Sequence, residues 1–402
     1  MNKLKSAIRM SKQRFQYLKM KIFQENEVYR FIEQTKEEEN SIEIPHTTLN
    51  SIEEFKNWKE RHLFFGSKNH DLTQGVIFFH LFNFEQKFEF YMSTNHAGND
   101  ARGHFEVLKD ILMNLECIIS NRTTESAPKS MLNIHLDFKH SFDLKEIKLE
   151  PVFENEYQLI NYMPGEVKIE DKFKNLSYYF EFFQLNEELT EKILQNCKSK
   201  NCTVQALFSL CSTLALIDEK TGLRNLNESV ECLNSIPCDM RYYFNLEKSD
   251  LVKSAASLCW MQNISTHCDL WSIAKEITEK IGKMRDSNEG IKWWLKCLNN
   301  FPLHKYYHVA SSIGKVSLDQ ENLIHIKVTD LRFSCSTPYD SLNKIIFKNT
   351  ISRFQMMHVI TFNKKLTGNF CYSYPTFSSS WDKEIRFNKN KIIVILNSYY
   401  FF

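Results

Sequence analysis

Asn95-His96-Ala97-Gly98-Asn99-Asp100-Ala101-Arg102-Gly103 is the stretch on which the fold reading turns. Before it stand two runs rich in β-branched and aromatic residues, Gly75 to Phe84 (GVIFFHLFNF) and Phe88 to Thr94 (FEFYMST), parted by a polar break at Glu85 to Lys87. Two such runs around a tight polar break predict a β-hairpin. After it, Phe105, Leu108, Ile111, Leu112, Leu115 and Ile118 recur at spacings of three and four, the period of a helix. The stretch therefore joins a strand end to a helix start.

It carries the single His-x-x-x-Asp of the chain, His96 and Asp100. An imidazole has an unperturbed pKa of about 6.5, so a neutral His96 is suited to take a proton from an attacking alcohol or amine. A connection that turns back after four residues lets a buried Asp100 brace the backbone from beneath, paired with an arginine and away from substrate. Gly98 and Gly103 would permit the tight path. The spacing alone is a weak signal, since 13 His and 49 acidic residues produce it readily by chance. The strand before, the helix after and the flanking glycines give it weight.

Working outward, Lys3 to Gln34 has helical periodicity. Its basic N-terminal part predicts a helix packed on a sheet with its lysines in solvent, the alternative being a membrane-touching face. Residues 121–176 hold few apolar runs and contain Pro128, Pro151 and Pro164, as expected of a crossover between two halves. Tyr178 to Leu185 predicts a strand. Asn186 caps a helix faced by Leu189, Ile193 and Leu194, and Thr203 opens a nearly all-apolar helix, Val204 to Ile217. Further strands are predicted at Glu228–Ile236, Ala255–Gln262, Leu323–Val328, Lys344–Phe347, Met356–Phe362 and Thr367–Tyr374, with an amphipathic helix at Leu270–Met284. Strands and helices mixed in both halves define an α/β (α+β) fold and exclude a helical bundle or a β-sandwich. The expected division is an N-terminal lobe of residues 1–176 and a C-terminal lobe of residues 177–402.

Composition narrows the function. A chain of 402 residues with 43% hydrophobic and 25% charged residues supports two packed cores. A formal charge of +2 offers no footprint for nucleic acid. Eleven cysteines without a Cys-x-x-Cys fit a reduced compartment, and with no apolar run long enough to span a bilayer the expectation is a cytoplasmic monomer. His135, Asp137 and His140 lack a metal-site context, so no metal is expected. Trp293 and Trp294 read as a helix packing face, and Cys238 and Cys335 as buried small hydrophobes. No phosphate-binding glycine loop occurs.

His96 to Gly103 resembles the His-x-x-x-Asp-Gly signature of the CoA-dependent acyltransferase superfamily, in its condensation-domain and alcohol-acetyltransferase branch, with two extra residues before the glycine. Three further segments follow in that family's order: Cys202-Thr203-Val204-Gln205-Ala206-Leu207, Ile236-Pro237-Cys238-Asp239-Met240-Arg241, and Ser311-Ser312-Ile313-Gly314. The resemblance implies a chloramphenicol-acetyltransferase-like fold: two lobes in a pseudo-twofold V, each a mixed sheet with helices, with a late segment, about 356–374, crossing back to the first sheet. It also implies His96 as general base, Asp100 paired with Arg241 and, with Gly103, supporting the catalytic loop. Ser312, where an asparagine is usual, falls at a substrate-binding position.

The implied activity transfers an acyl group from acyl-CoA or another thioester to a small or lipid-like hydroxyl acceptor. No tightly bound cofactor is expected, acyl-CoA being a co-substrate. Asn95, in place of the first histidine of peptide-forming condensation domains, leans toward ester formation. An amide-forming condensation enzyme and an inactive binding relative of the same fold are the alternatives. Against the family pattern the chain opens at the first helix, and the tail from Asn388 to Phe402 has no counterpart.

Overall fold

The computed structural model describes residues 1–25, 28–51, 53–54, 58, 75–84, 87–94, 99–123, 176–221, 230–239, 241–244, 255–264, 269–292, 307–334 and 354–375. The elements, in chain order, are α1 (Asn2–Arg14), β1 (Met20–Glu25), β2 (Val28–Glu33), α2 (Lys36–Asn40), β3 (His46–Thr48), β4 (Ile77–Phe84), β5 (Lys87–Thr94) and α3 (Ala101–Ile119). There follow β6 (Leu176–Gln184), α4 (Glu187–Ser199), α5 (Val204–Thr221), β7 (Val230–Asp239), β8 (Ala255–Ile264), α6 (Leu270–Asp286), β9 (Tyr307–Lys315), β10 (Phe354–Phe362) and β11 (Lys365–Pro375). The described residues fall into two compact units. One comprises Met1–Glu146, Met240–Ala255 and Val316–Thr329; the other comprises Ile147–Asp239, Ala256–Lys315 and Asp330–Phe402.

In the first unit the expected hairpin is present. β4 and β5 pair antiparallel from Ile77↔Thr94 to Phe84↔Lys87, and β3 adds in parallel beside β4. Ile8, Phe15, Tyr17, Leu18, Val76, Phe79, Val107 and Ile111 make one core, so α1 and α3 share an apolar floor with the sheet. Burial of such side chains is worth ~1.5–3 kcal/mol each before the entropy of ordering them is counted. A buried polar cluster pins α1 to α3 above that floor. The Ser11 hydroxyl donates to Asp110 (2.6 Å), the Asn114 amide donates to both, and Arg14 pairs with the same carboxylate.

The helical reading of Lys3 to Gln34 holds only to Arg14. Beyond it, β1 and β2 form an antiparallel ribbon with Met20 opposite Glu33. The cause lies in the pattern: Leu18, Met20 and Ile22 recur at every second residue, the period of a strand.

The second unit is built on a six-stranded sheet, β6-β11-β10-β9-β7-β8. β10 runs parallel to β9, whereas β11 is antiparallel to both β10 and β6. Asn186 caps α4 by accepting the Leu189 N–H, and Thr203 caps α5 through the Ala206 N–H, as expected. On β11, Gly368 lies opposite Phe183 of β6, and a Cβ there would collide with the Phe183 ring, which stacks on Phe208 of α5. A residue without a side chain is needed at that crossing.

Three expectations are corrected here. Met356–Tyr374 does not cross back to the sheet of β4 and β5; it forms β10 and β11 inside the second sheet. The segments that return to the first unit are Met240–Ala255 and Val316–Thr329. Leu323–Val328 is irregular chain rather than a strand, because its backbone donates to a side chain in α3 instead of to a neighbouring strand. Tyr307–Lys315, to which no strand was assigned, is β9. The predicted strand Lys344–Phe347 lies outside the described residues, as do His135, Asp137, His140, Trp293, Trp294 and Cys335.

Candidate active site

α3 begins at Ala101, inside the stretch read as the connection, and the reason is Asp100. Asp100 is the residue before the helix, with extended backbone, and its Oδ1 accepts the N–H of Gly103 at 2.8 Å. That bond satisfies one of the helix's unpaired first-turn donors and sets a negative charge at the positive end of the helix dipole. Gly103 itself is the third helical residue. It contributes an N–H that any residue could supply, and the tight turn foreseen for it is absent.

Both Asp100 oxygens also accept from Arg241. Nη1 reaches Oδ2 at 2.5 Å and Nη2 reaches Oδ1 at 3.0 Å, a planar two-point clasp. Its side chains are only 3% and 8% exposed, so the ion pair is buried. Arg241 opens a helical turn, Arg241–Phe244, in the segment that returns to the first unit. The pairing implied by the resemblance is thus present, 141 residues apart in sequence.

His96 and Gly98 lie outside the described residues, which resume at Asn99. The strand and helix on either side are tied together directly: Thr94 Oγ1, at the end of β5, lies 3.1 Å from His104 Nδ1 in α3. Asn99 is buried beside the capping aspartate. Residues 95–98 are therefore bounded by two anchors, one at Thr94 and one at Asp100.

Ser312 belongs to the second unit. It sits on β9 opposite Val359, next to a bulge at which Gly314 takes φ +81°, a conformation that favours glycine. Its backbone is gripped from α5. Gln205 Oε1 accepts the Ser312 N–H at 2.5 Å, and Gln205 Nε2 donates to the Ala310 carbonyl at 2.9 Å. Gln205 fixes the β9 backbone at Ala310 and Ser312, and the sequence reading quoted it inside a motif without assigning it work. A glutamine in the first turn of a nearly all-apolar helical run was the available signal.

A second buried carboxylate lies at the other end of α3. Glu116 accepts from the His325 N–H (2.9 Å) and the Ser120 hydroxyl (3.0 Å), with His325 Nδ1 at 2.9 Å. Burial opposes its ionisation but is outweighed by bonds from the His325 ring and backbone, Ser120 and the Ile324 N–H, which hold its pKa down to about 2. Ser120 and Glu116 meet the same ring nitrogen of His325, so this is a clasp and not a relay aimed at a nucleophile. Cys238 is buried in the second unit. Among the described residues no cluster of His, Cys, Asp or Glu could hold a metal, and no helix is long and apolar enough to cross a membrane.

The architecture is similar to that of several solved proteins. Against the first condensation domain of the calcium-dependent antibiotic synthetase, the TM-score is 0.66 at 11% identity, covering 98% of this chain and 87% of that one. Against polyketide synthase associated protein 5 from Mycobacterium tuberculosis it is 0.63 at 10% identity, covering 99% and 91%. Against trichothecene 15-O-acetyltransferase from Fusarium sporotrichioides it is 0.58 at 12% identity, covering 98% and 85%. No protein-family model and no curated protein matches by sequence. The chain has a mixed α/β fold similar to that of these solved proteins, condensation domain and acetyltransferase alike.

Proposed function

We propose that the protein transfers an acyl group from acyl-CoA, or another thioester, to a hydroxyl acceptor, with His96 as general base. The observation that carries the reading is the buried Asp100–Arg241 clasp, which anchors the residue ending the His96-x-x-x-Asp100 spacing at a helix cap. In this reading Asp100, Gly103 and Arg241 hold the backbone and His96 does the chemistry. The His96 imidazole accepts the acceptor's proton as its oxygen attacks the thioester carbonyl. The tetrahedral oxyanion collapses, the C–S bond breaks, and the thiolate leaves with the proton from His96. Ser312, fixed through Gln205 on β9, is assigned to substrate contact. Acyl-CoA is a co-substrate, and no bound cofactor takes part.

An ester product is favoured over an amide because Asn95 precedes His96. The test is direct: purified protein is given acyl-CoAs of increasing chain length with paired alcohol and amine acceptors, and products are identified by mass. Ester formation above the enzyme-free blank supports the proposal. Amide formation alone would transfer the assignment to a condensation-type enzyme, and acyl-CoA binding without any product would make the chain a binding relative of the fold.

A further inference from the structure

In the second unit, α4 ends and α5 begins across four residues, and the turn between them is closed in a specific way. Asn201 takes the left-handed conformation (φ 55°). The Cys202 N–H donates to the Cys197 carbonyl at 2.9 Å, and the Asn201 N–H donates to the Lys198 carbonyl at 3.3 Å. This pair of bonds, six-to-one and five-to-two, is the Schellman ending of a helix. Such an ending brings together the side chains of its first and sixth residues, usually as an apolar contact. Here those residues are both cysteines, so the bonds that close α4 set the two side chains beside each other.

We infer that Cys197 and Cys202 are a redox-active pair that closes to an intramolecular disulfide under a peroxide, leaving the chain's other described cysteines reduced. The neighbouring thiols explain the selectivity. Cys211 is fully buried, and burial pushes its thiol up to about 12. Burial likewise raises Cys259, to about 11. Cys202, by contrast, has its thiol drawn down by the Cys197 side chain against the opposing effect of burial, and it is flanked in sequence by exposed Asn201 and Thr203. The thiolate is the attacking form, so Cys202 reacts first.

The steps balance. The Cys202 thiolate attacks one peroxide oxygen, the O–O bond breaks, and hydroxide leaves and is protonated to water, giving a sulfenic acid. Cys197 then attacks that sulfur as its own proton departs, and the second oxygen leaves as water. Two thiols lose two electrons, and one hydrogen peroxide becomes two waters.

The experiment treats reduced, folded protein with hydrogen peroxide, blocks remaining thiols by alkylation, and maps tryptic peptides. Lys198 and Lys200 lie between the two cysteines, so cleavage separates them into two peptides that stay joined only through a disulfide. The expected result is a joined pair containing Cys197 and Cys202, two hydrogens lighter than its parts and released by dithiothreitol. In Cys197→Ser the joined pair should vanish and Cys202 should become trappable by a sulfenic-acid reagent. Wild-type protein in which Cys202 proceeds to sulfinic acid without the joined pair would overturn the inference. So would alkylation of Cys197 and Cys202 undiminished by peroxide.

Discussion

Helix α3 carries buried carboxylates at its two ends, and they are stabilised in opposite ways. Asp100, at the N-terminus, has the helix dipole on its side and needs little more than one cation and one N–H. Glu116, in the last turn, faces the negative end and is held by a crowd: two backbone N–H groups, a hydroxyl, a ring nitrogen and, at 3.6 Å, Arg122. The first arrangement concentrates its dependence on one partner, Arg241. The second spreads it over the returning segment around His325. An anchor that hangs on one partner is rigid and fragile, as the support role proposed for Asp100 requires. An anchor shared among many is tolerant, which suits a seam.

Three substitutions probe that contrast. The largest effect is expected for Asp100→Ala, which removes both the buried carboxylate clasped by Arg241 and the cap of α3. Chemical denaturation should show a loss of roughly 3–5 kcal/mol, with transfer activity falling in proportion to unfolding. A loss comparable to that of an exposed residue would mean the clasp is not closed in solution. Next comes Glu116→Gln, read against pH. A carboxylate lowered from 4.5 to about 2 contributes stability that is complete above its unfolded pKa and is lost as pH falls through the folded value. The denaturation midpoint of the wild type should therefore fall between about pH 4.5 and 2 more steeply than that of Glu116→Gln; parallel curves would remove the linkage. Smallest of all is Arg122→Ala. Arg122 is about half exposed, and the midpoint should not move measurably, since exposed ion pairs contribute little. A clear loss there would show the Glu116 clasp to depend on one partner after all.

The sequence reading and the structure agree where local pattern and tertiary context say the same thing. The hairpin before His96, α3, the Asn186 cap and the apolar α5 are of this kind: each is signalled within a dozen residues and then covered by packing. Readings failed where a long-range partner decides. Leu323–Val328 has strand-like residues, but its backbone is consumed by Glu116, some 200 residues earlier. Met356–Tyr374 was recognised as strand, yet which sheet it joins is set by β9 and β6, and nothing within the segment encodes that. Gly103 was taken for a turn residue because glycines are usually informative through φ, whereas here its N–H is what Asp100 uses. Arg241 was legible only through the resemblance; a buried arginine carries no mark of its partner in the residues around it.

The central claim is a division of labour, chemistry at His96 and support at Asp100 and Arg241. It is tested most directly by measuring thioester-to-alcohol transfer by His96→Ala alongside its denaturation midpoint. The account predicts a rate lower by about 10² to 10⁴ with the midpoint unchanged. Full turnover in a folded His96→Ala protein would contradict it.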